Sequence, residues 1–230
     1  MMRVLVSVKS VDEALLAARG GADFIDLKDP ARGALGGLPV AAIHAIVGAL
    51  HHAGSTLPVS ATIGDFDAHE LSAILAQVDA VGACGVDYVK VGIARGDGVP
   101  LLLQALAAAP WALVPVFIGD DGIDTAALAL ACSLRFPALM VDTADKRRGS
   151  LFDAVPAAAL RGFVDTVRAS GSLVGLAGAL RLPDLPRLAA LAPDFAGFRS
   201  AVCAGDRAGA LDPARLQALV CALHADALPA

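Results

Sequence analysis

The chain has 230 residues, a formal net charge of −5 and a composition that is 57% hydrophobic but only 4% aromatic. That length fits one α/β barrel or two small domains, with a core of Ala, Leu and Val. Asp, Arg, Gly or Pro interrupts every apolar run before the roughly 18 residues of a membrane span, and no Lys/Arg stripe is dense enough to track a nucleic-acid backbone.

Strands are predicted at 3–8, 23–28, 58–63, 87–92, 112–118, 138–143, 172–177 and 195–200. Helices are predicted between and after them at 11–19, 39–53, 68–83, 99–108, 124–135, 154–169, 184–191 and 212–224. Ser10, Asp124 and Asp212-Pro213 stand where N-caps and first turns belong. Eight βα units with no linker between them predict one domain over 1–230, a single (β/α)8 TIM barrel of the α/β class. An open doubly wound sheet is the competing architecture. It needs a glycine-rich turn after the first strand, and "SVKSVDEA" occupies that place.

The apolar run in "MMRVLVSVKSVDEA" is too short for a signal-peptide core, so a cytoplasmic protein is expected. Cys84, Cys132, Cys203 and Cys221 lie far apart and read as reduced, mostly buried thiols. The five histidines show no metal-binding spacing, so neither metal nor cofactor is expected.

In a barrel the chemistry sits at the C-terminal strand ends. The polar residues there are Lys9, Asp26, Lys28, Asp65, Lys90, Asp120, Asp121, Asp142, Thr143, Lys146, Gly178, Arg199 and Ser200. Of the 18 basic residues only four are lysines, and all four fall at or just past the ends of the first, second, fourth and sixth strands. On helices the chain uses arginine instead, as at Arg19, Arg161 and Arg215. Arginine stays protonated, whereas a buried lysine can lose its proton and act as nucleophile or base. A lone strand-end lysine reads first as an ion-pair partner. Four gathered at one mouth read as chemistry, with Asp26 and Asp142 to orient them or move protons.

Small residues follow the seventh and eighth strands, in "GLAGAL" and "FRSAVCAGDRAGALD". Barrels commonly hold phosphate there, so Gly178, Ser200 and Gly205, beside Arg199 and Arg207, are candidate phosphate contacts. Asp65, Asp120 and Asp121 serve equally well as turn residues.

These segments resemble one family. The resemblance runs through "SVKSVDEA", "GGADFIDLKDPARGALG", "SATIGD", "GVDYVKVG", "DTADKRRGSLFD" and "FRSAVCAGDRAGALD", and is weakest at "LVPVFIGDDGID". The family is that of (5-formylfuran-3-yl)methyl phosphate synthase, which acts in methanofuran-type cofactor biosynthesis. The resemblance implies condensation of two glyceraldehyde 3-phosphate molecules with loss of phosphate and water. It implies Lys28 as the Schiff-base lysine and Lys90 as proton acceptor, with Asp26, Asp142 and Lys146 assisting. A second anion site would use Lys9, Lys146 or Arg147. The residues alone leave open which lysine attacks. They also leave a class I aldolase, or a non-catalytic phosphosugar-binding barrel, as alternatives. The expected partners are triose phosphates, with neither nucleic acid nor membrane, and a homo-oligomer is compatible with the Ala/Leu-rich helix faces.

Overall fold

The computed structural model describes residues 2–33 and 35–225. Its elements run β1 (Arg3–Val8), α1 (Val11–Arg19), β2 (Phe24–Leu27), α2 (Val40–His52), β3 (Val59–Thr62) and α3 (Leu71–Gly82). They continue with β4 (Tyr88–Ile93), α4 (Val99–Ala108), β5 (Leu113–Ile118), α5 (Thr125–Ser133), β6 (Ala138–Asp142) and a short α6 (Leu151–Ala154). Then come α7 (Ala157–Ser170), β7 (Leu173–Leu176), α8 (Leu185–Leu191), β8 (Phe195–Phe198) and α9 (Pro213–Ala225). The strands are all parallel and close in sequence order, with β8 returning to β1, so the (β/α)8 barrel stands.

Alternation along each strand sorts side chains into two cores. Val4, Val6, Val8, Ile25 and Leu27 point outward and pack beneath the helix ring, against residues such as Ala14 and Ala17. Leu5, Val114, Val116, Met140 and Phe195 fill the barrel itself. In "FIDLK" the outward positions are thus Ile25 and Leu27, which leaves Asp26 and Lys28 on the inner face. Complete burial of an aliphatic side chain contributes about 1.5–3 kcal/mol, so the outer core carries most of the fold's stability.

At the N-terminal rim one device recurs. Asp23, Asp87 and Asp194 each precede a strand and accept the backbone N–H of Val4, Val59 and Val174 respectively, on the neighbouring strand, at 2.7 Å. Each aspartate's own N–H donates back to that residue's carbonyl, at 2.8–3.0 Å. A carboxylate thus satisfies an N–H in the first or second residue of a strand, where the ladder is only beginning.

Most elements begin or end within three residues of the sequence expectation, and two departures from it have clear local reasons. α3 starts at Leu71, not 68, because Asp67 and Glu70 form their own turn: Asp67 N–H donates to the Glu70 carboxylate and His69 N–H to the Asp67 carboxylate, both at 2.9 Å. α6 is an additional turn, opened by the Ser150–Asp153 capping box. The caps at Ser10, Asp124 and Asp212 form as expected. All four cysteines are free, and only Cys84 and Cys203 are buried. Among the described residues no helix is long and apolar enough to cross a membrane.

Candidate active site

Three of the four lysines meet inside the C-terminal mouth. Lys28 follows β2 directly, its N–H still bonded to Val8 at 3.0 Å, and its side chain is buried. Lys146 lies in a 3-10 turn, Lys146–Arg148, beyond β6. Lys90 departs from expectation: it is the third residue of β4, not its end, in register with Thr62 of β3 and Val114 of β5. Its amine therefore enters the cluster from below.

Two buried carboxylates divide the amines between them. Asp26 accepts from Lys90 Nζ at 2.8 Å and from Ser60 at 2.7 Å on one oxygen, and from Ser7 at 3.0 Å on the other. Ser7 and Ser60 are its register neighbours on β1 and β3. Asp142 takes Lys146 and the N–H of Thr143 on one oxygen, and faces Lys28 Nζ at 3.5 Å with the other. Lys146 also lies 3.4 Å from the Thr143 hydroxyl. Among the described residues Lys28 Nζ makes that ion pair but no hydrogen bond, whereas Lys90 and Lys146 are both tied to a carboxylate oxygen.

The electrostatics follow from sharing. Burial on its own would raise the Asp142 carboxyl, but Lys146 and Lys28 outweigh it and bring it down to about 2. Burial likewise opposes ionisation of Asp26, and Lys90 and Lys28 hold that carboxyl below its usual range. For Lys146 the balance tips the other way. Burial pushes its amine down, Asp142 pulls it up, and the nearby charge of Lys28 adds a second push down, leaving it below the ordinary lysine value.

The cleft over this cluster continues to Gly178, Ser200 and Arg207 on the β7 and β8 side. Gly178 has φ +124°, and a Cβ there would press on Thr143 and Leu151 at 3.0–3.1 Å, so only glycine lets the backbone turn under the mouth. Arg207 is half-buried, and its guanidinium's one hydrogen bond among the described residues is a long one to the Gly33 carbonyl, 3.4 Å. Burial lowers its guanidinium, against the attraction of Asp142.

Other expected contacts sit elsewhere. Arg199 borders the cleft, but its guanidinium is bidentate to Glu13 at 2.6 and 3.1 Å. Its remaining donors go to the carbonyls of Ser7, Arg207 and Gly209. Glu13 also accepts the N–H groups of Lys9 and Leu211. Burial would raise this carboxyl, and Arg199 and those N–H groups bring it below its usual value. Lys9 turns away to the Ala208 carbonyl, and Gly205, at φ +75°, forms the exposed turn of the same loop. Asp120 accepts the N–H groups of Ala144 and Asp145, at 2.5 and 3.1 Å, and so holds the turn that carries Lys146. Asp65 accepts the N–H of Leu35 at 3.1 Å. The side chain of Arg147 lies outside the described residues.

Sequence reasoning missed Ser7, Ser60 and Glu13. The serines gave one usable signal, a hydroxyl at an inward position of an otherwise apolar strand. Glu13 gave none, since it reads as an ordinary first-turn acid of α1.

Fold and cluster together define a class: (β/α)8 barrels with a site of lysines and aspartates at the C-terminal strand ends. The chain belongs to the 4-HFC-P synthase family, whose sequence pattern matches residues 4–220. A relative from Methylorubrum extorquens, with the provisional name (5-formylfuran-3-yl)methyl phosphate synthase, is 41% identical over 97% of this chain and 92% of its own length. A (5-formylfuran-3-yl)methyl phosphate synthase from Archaeoglobus fulgidus is 34% identical over 97% of this chain and 100% of its own. In fold the chain resembles the phosphoribosyl anthranilate isomerase of Thermus thermophilus, with a TM-score of 0.68 at 21% identity over 97% of this chain and 99% of that one.

Proposed function

We propose that the protein condenses two molecules of glyceraldehyde 3-phosphate through a Schiff base on Lys28. The product is (5-formylfuran-3-yl)methyl phosphate, and phosphate and water are released, a carbon–oxygen lyase reaction of methanofuran-type cofactor biosynthesis. One observation carries the choice of lysine. Lys28 is the amine of the cluster with no hydrogen bond to a described residue, only a 3.5 Å ion pair with Asp142, so it can approach a carbonyl without first breaking a hydrogen bond.

The other groups divide the proton traffic. An iminium at Lys28 acidifies the adjacent carbon, and Lys90 in its neutral form is the group we assign to take that proton, with Asp26 the carboxylate that balances the ammonium it becomes. Lys146 has its amine lowered by burial and by Lys28, which suits it to exchanging protons during dehydration. Asp142 holds Lys28 and Lys146 at one point and stays ionised throughout. Substrate phosphate is assigned to the backbone around Gly178 and Ser200, with Arg207 as its cation. Arg199 and Lys9 act through the loop they hold, and Gly205 shapes it.

The test is borohydride trapping with glyceraldehyde 3-phosphate, peptide mass mapping and product analysis. A reduced adduct on Lys28, with a furan aldehyde phosphate in the untreated reaction, supports the reading. An adduct on Lys90 or Lys146 overturns the assignment of roles. No adduct and no product from folded protein overturns the function.

A further inference from the structure

The barrel is hollow at both ends. Opposite the catalytic mouth, a cavity of about 130 Å³ runs inward from the starts of the strands and stops beneath Lys90. Its outer residues Arg3, Phe24, Tyr88 and Leu173 are half-buried, so it opens on the N-terminal face, whereas Val114, Met140 and Phe195 further in are buried. Strand alternation turns these side chains inward: Arg3 shares the inner face of β1 with Leu5, and Phe24 that of β2 with Asp26. Ala138, buried at the start of β6, is small enough to leave the space. Leu5 and Lys90 border both this cavity and the catalytic cleft, and so form the partition between them.

Size, lining and charge select one kind of occupant. The volume is close to the roughly 150 Å³ of an apolar cavity that takes up benzene, which is room for one ring. The walls suit such a ring: Phe24 and Phe195 lie 5.5 Å apart and tilted by 50°, with Met140 and Val114 beside them. The charge is of one sign, since Arg3 and Lys90 line the cavity and no carboxylate is among the described residues that do. Lys90 already has Asp26 as its partner. Arg3 has none: its guanidinium lies 4.8 Å over the Phe24 ring, without a hydrogen bond or ion pair to any described residue. A guanidinium held flat on a ring, with its donors unspent, is prepared for a carboxylate or phosphate.

We propose that this cavity binds a monocyclic aromatic anion, with the ring between Phe24, Phe195 and Met140 and the anionic group on Arg3. The ring then lies beneath Lys90, where its π face, and the negative charge behind it, favour the ammonium over the neutral amine. Occupancy therefore slows proton abstraction from the side away from substrate. That consequence rests on the role of Lys90 proposed above; the binding does not.

Benzoate is the test ligand, followed by NMR of protein labelled with carbon-13 in its methionine methyl groups. Met140 lines this cavity and not the catalytic cleft, so its methyl signal reports this site alone. Benzoate should shift that signal saturably. Benzyl alcohol, its uncharged analogue, should bind at least about tenfold more weakly, the scale of a hydrogen bond to a charged group. Arg3→Gln should erase that preference, and Ala138→Leu should abolish the shift. Circular dichroism checks folding, and Ala138→Val serves if the leucine variant does not fold. In turnover of glyceraldehyde 3-phosphate, benzoate should lower kcat and leave KM unchanged. No saturable Met140 shift in the unaltered protein, equal binding of the alcohol, or a shift that persists in the folded filled variant overturns the site. A rise in KM alone places benzoate in the mouth and overturns it as well, while binding with kcat unchanged overturns the coupling to Lys90. The NMR titration needs no turnover. An inactive but folded protein would remove the functional reading above and leave this site to be decided by Met140.

Discussion

Asp142 divides one carboxylate between two amines, and Asp26 gives one of its oxygens to a single lysine and the others of its contacts to two hydroxyls. The two arrangements predict opposite responses to substitution. Lys28→Met removes a buried ammonium that has no hydrogen bond, while Asp142 keeps Lys146. Stability should hold or rise by about 1 kcal/mol as adduct formation disappears, the trade expected at a functional site. Asp26→Asn strands Lys90 in the barrel interior and should cost about 3 kcal/mol. Urea denaturation of both variants checks the pair of outcomes, and equal losses would contradict the geometry. Lys28 and Lys146 were legible in the sequence because the chain spends few lysines and these follow strand ends, whereas Lys90 sits within β4 and Lys9 turns away from the cluster. The serines that orient Asp26 were not. A serine in a β-strand is ordinary, and only the register across β1, β2 and β3 makes Ser7 and Ser60 partners of one carboxylate.

Elements here are joined by carboxylates that look alike in sequence and do different things. Asp87 bonds reciprocally with Val59 across β3 and β4. Asp87→Ala leaves that strand's first N–H without its charged acceptor and should cost about 1–3 kcal/mol, read by chemical denaturation, with little change in turnover. Asp120 works at the opposite rim, where it carries no strand but fixes the turn bearing Lys146. Asp120→Ala should therefore lower turnover by about ten- to a hundredfold while the thermal midpoint moves little, because a displacement near 1 Å suffices for such losses. If the two substitutions traded effects, the assignments would be reversed. The strand order and most boundaries were readable from hydrophobic period and turn residues. The role of each acid was not, because a cap, a rim tie and a site ligand all present Asp beside a strand. The start of α3 was misread for the same reason: Asp67 and Glu70 spend their side chains on a turn before the helix begins.

For the molecule as a whole, the buried carboxylates set the acid limit. Asp142 titrates at about 2 in the folded protein, against 3.8 for the free side chain, and Asp26 and Glu13 are shifted in the same direction. A carboxyl lowered by folding contributes stability that is complete above its unfolded value and lost as pH falls towards the folded one. Denaturation series from pH 7 to pH 3 should show stability flat to about pH 5 and falling below about pH 4, with Asp142 alone responsible for about 1 kcal/mol of the loss by pH 3. A profile still flat at pH 3 would contradict the ion-pair network. The barrel was legible at this scale because eight strand–helix alternations leave few alternatives. The burial of Leu35 in the barrel's interior cluster was not, since a leucine in a glycine-rich loop gives no sign of which way it points. Closure has a further consequence in time. Lys28, Lys90, Lys146 and both aspartates all lie in the first 146 residues, yet the cluster's surroundings depend on Arg199, which donates to the carbonyl of Ser7 and to Glu13, and on β8 pairing with β1. A chain still emerging from the ribosome therefore carries every reactive group long before it owns a site. Its amines stay solvated and apart from one another until the last strand docks and birth of the fold becomes birth of the reagent.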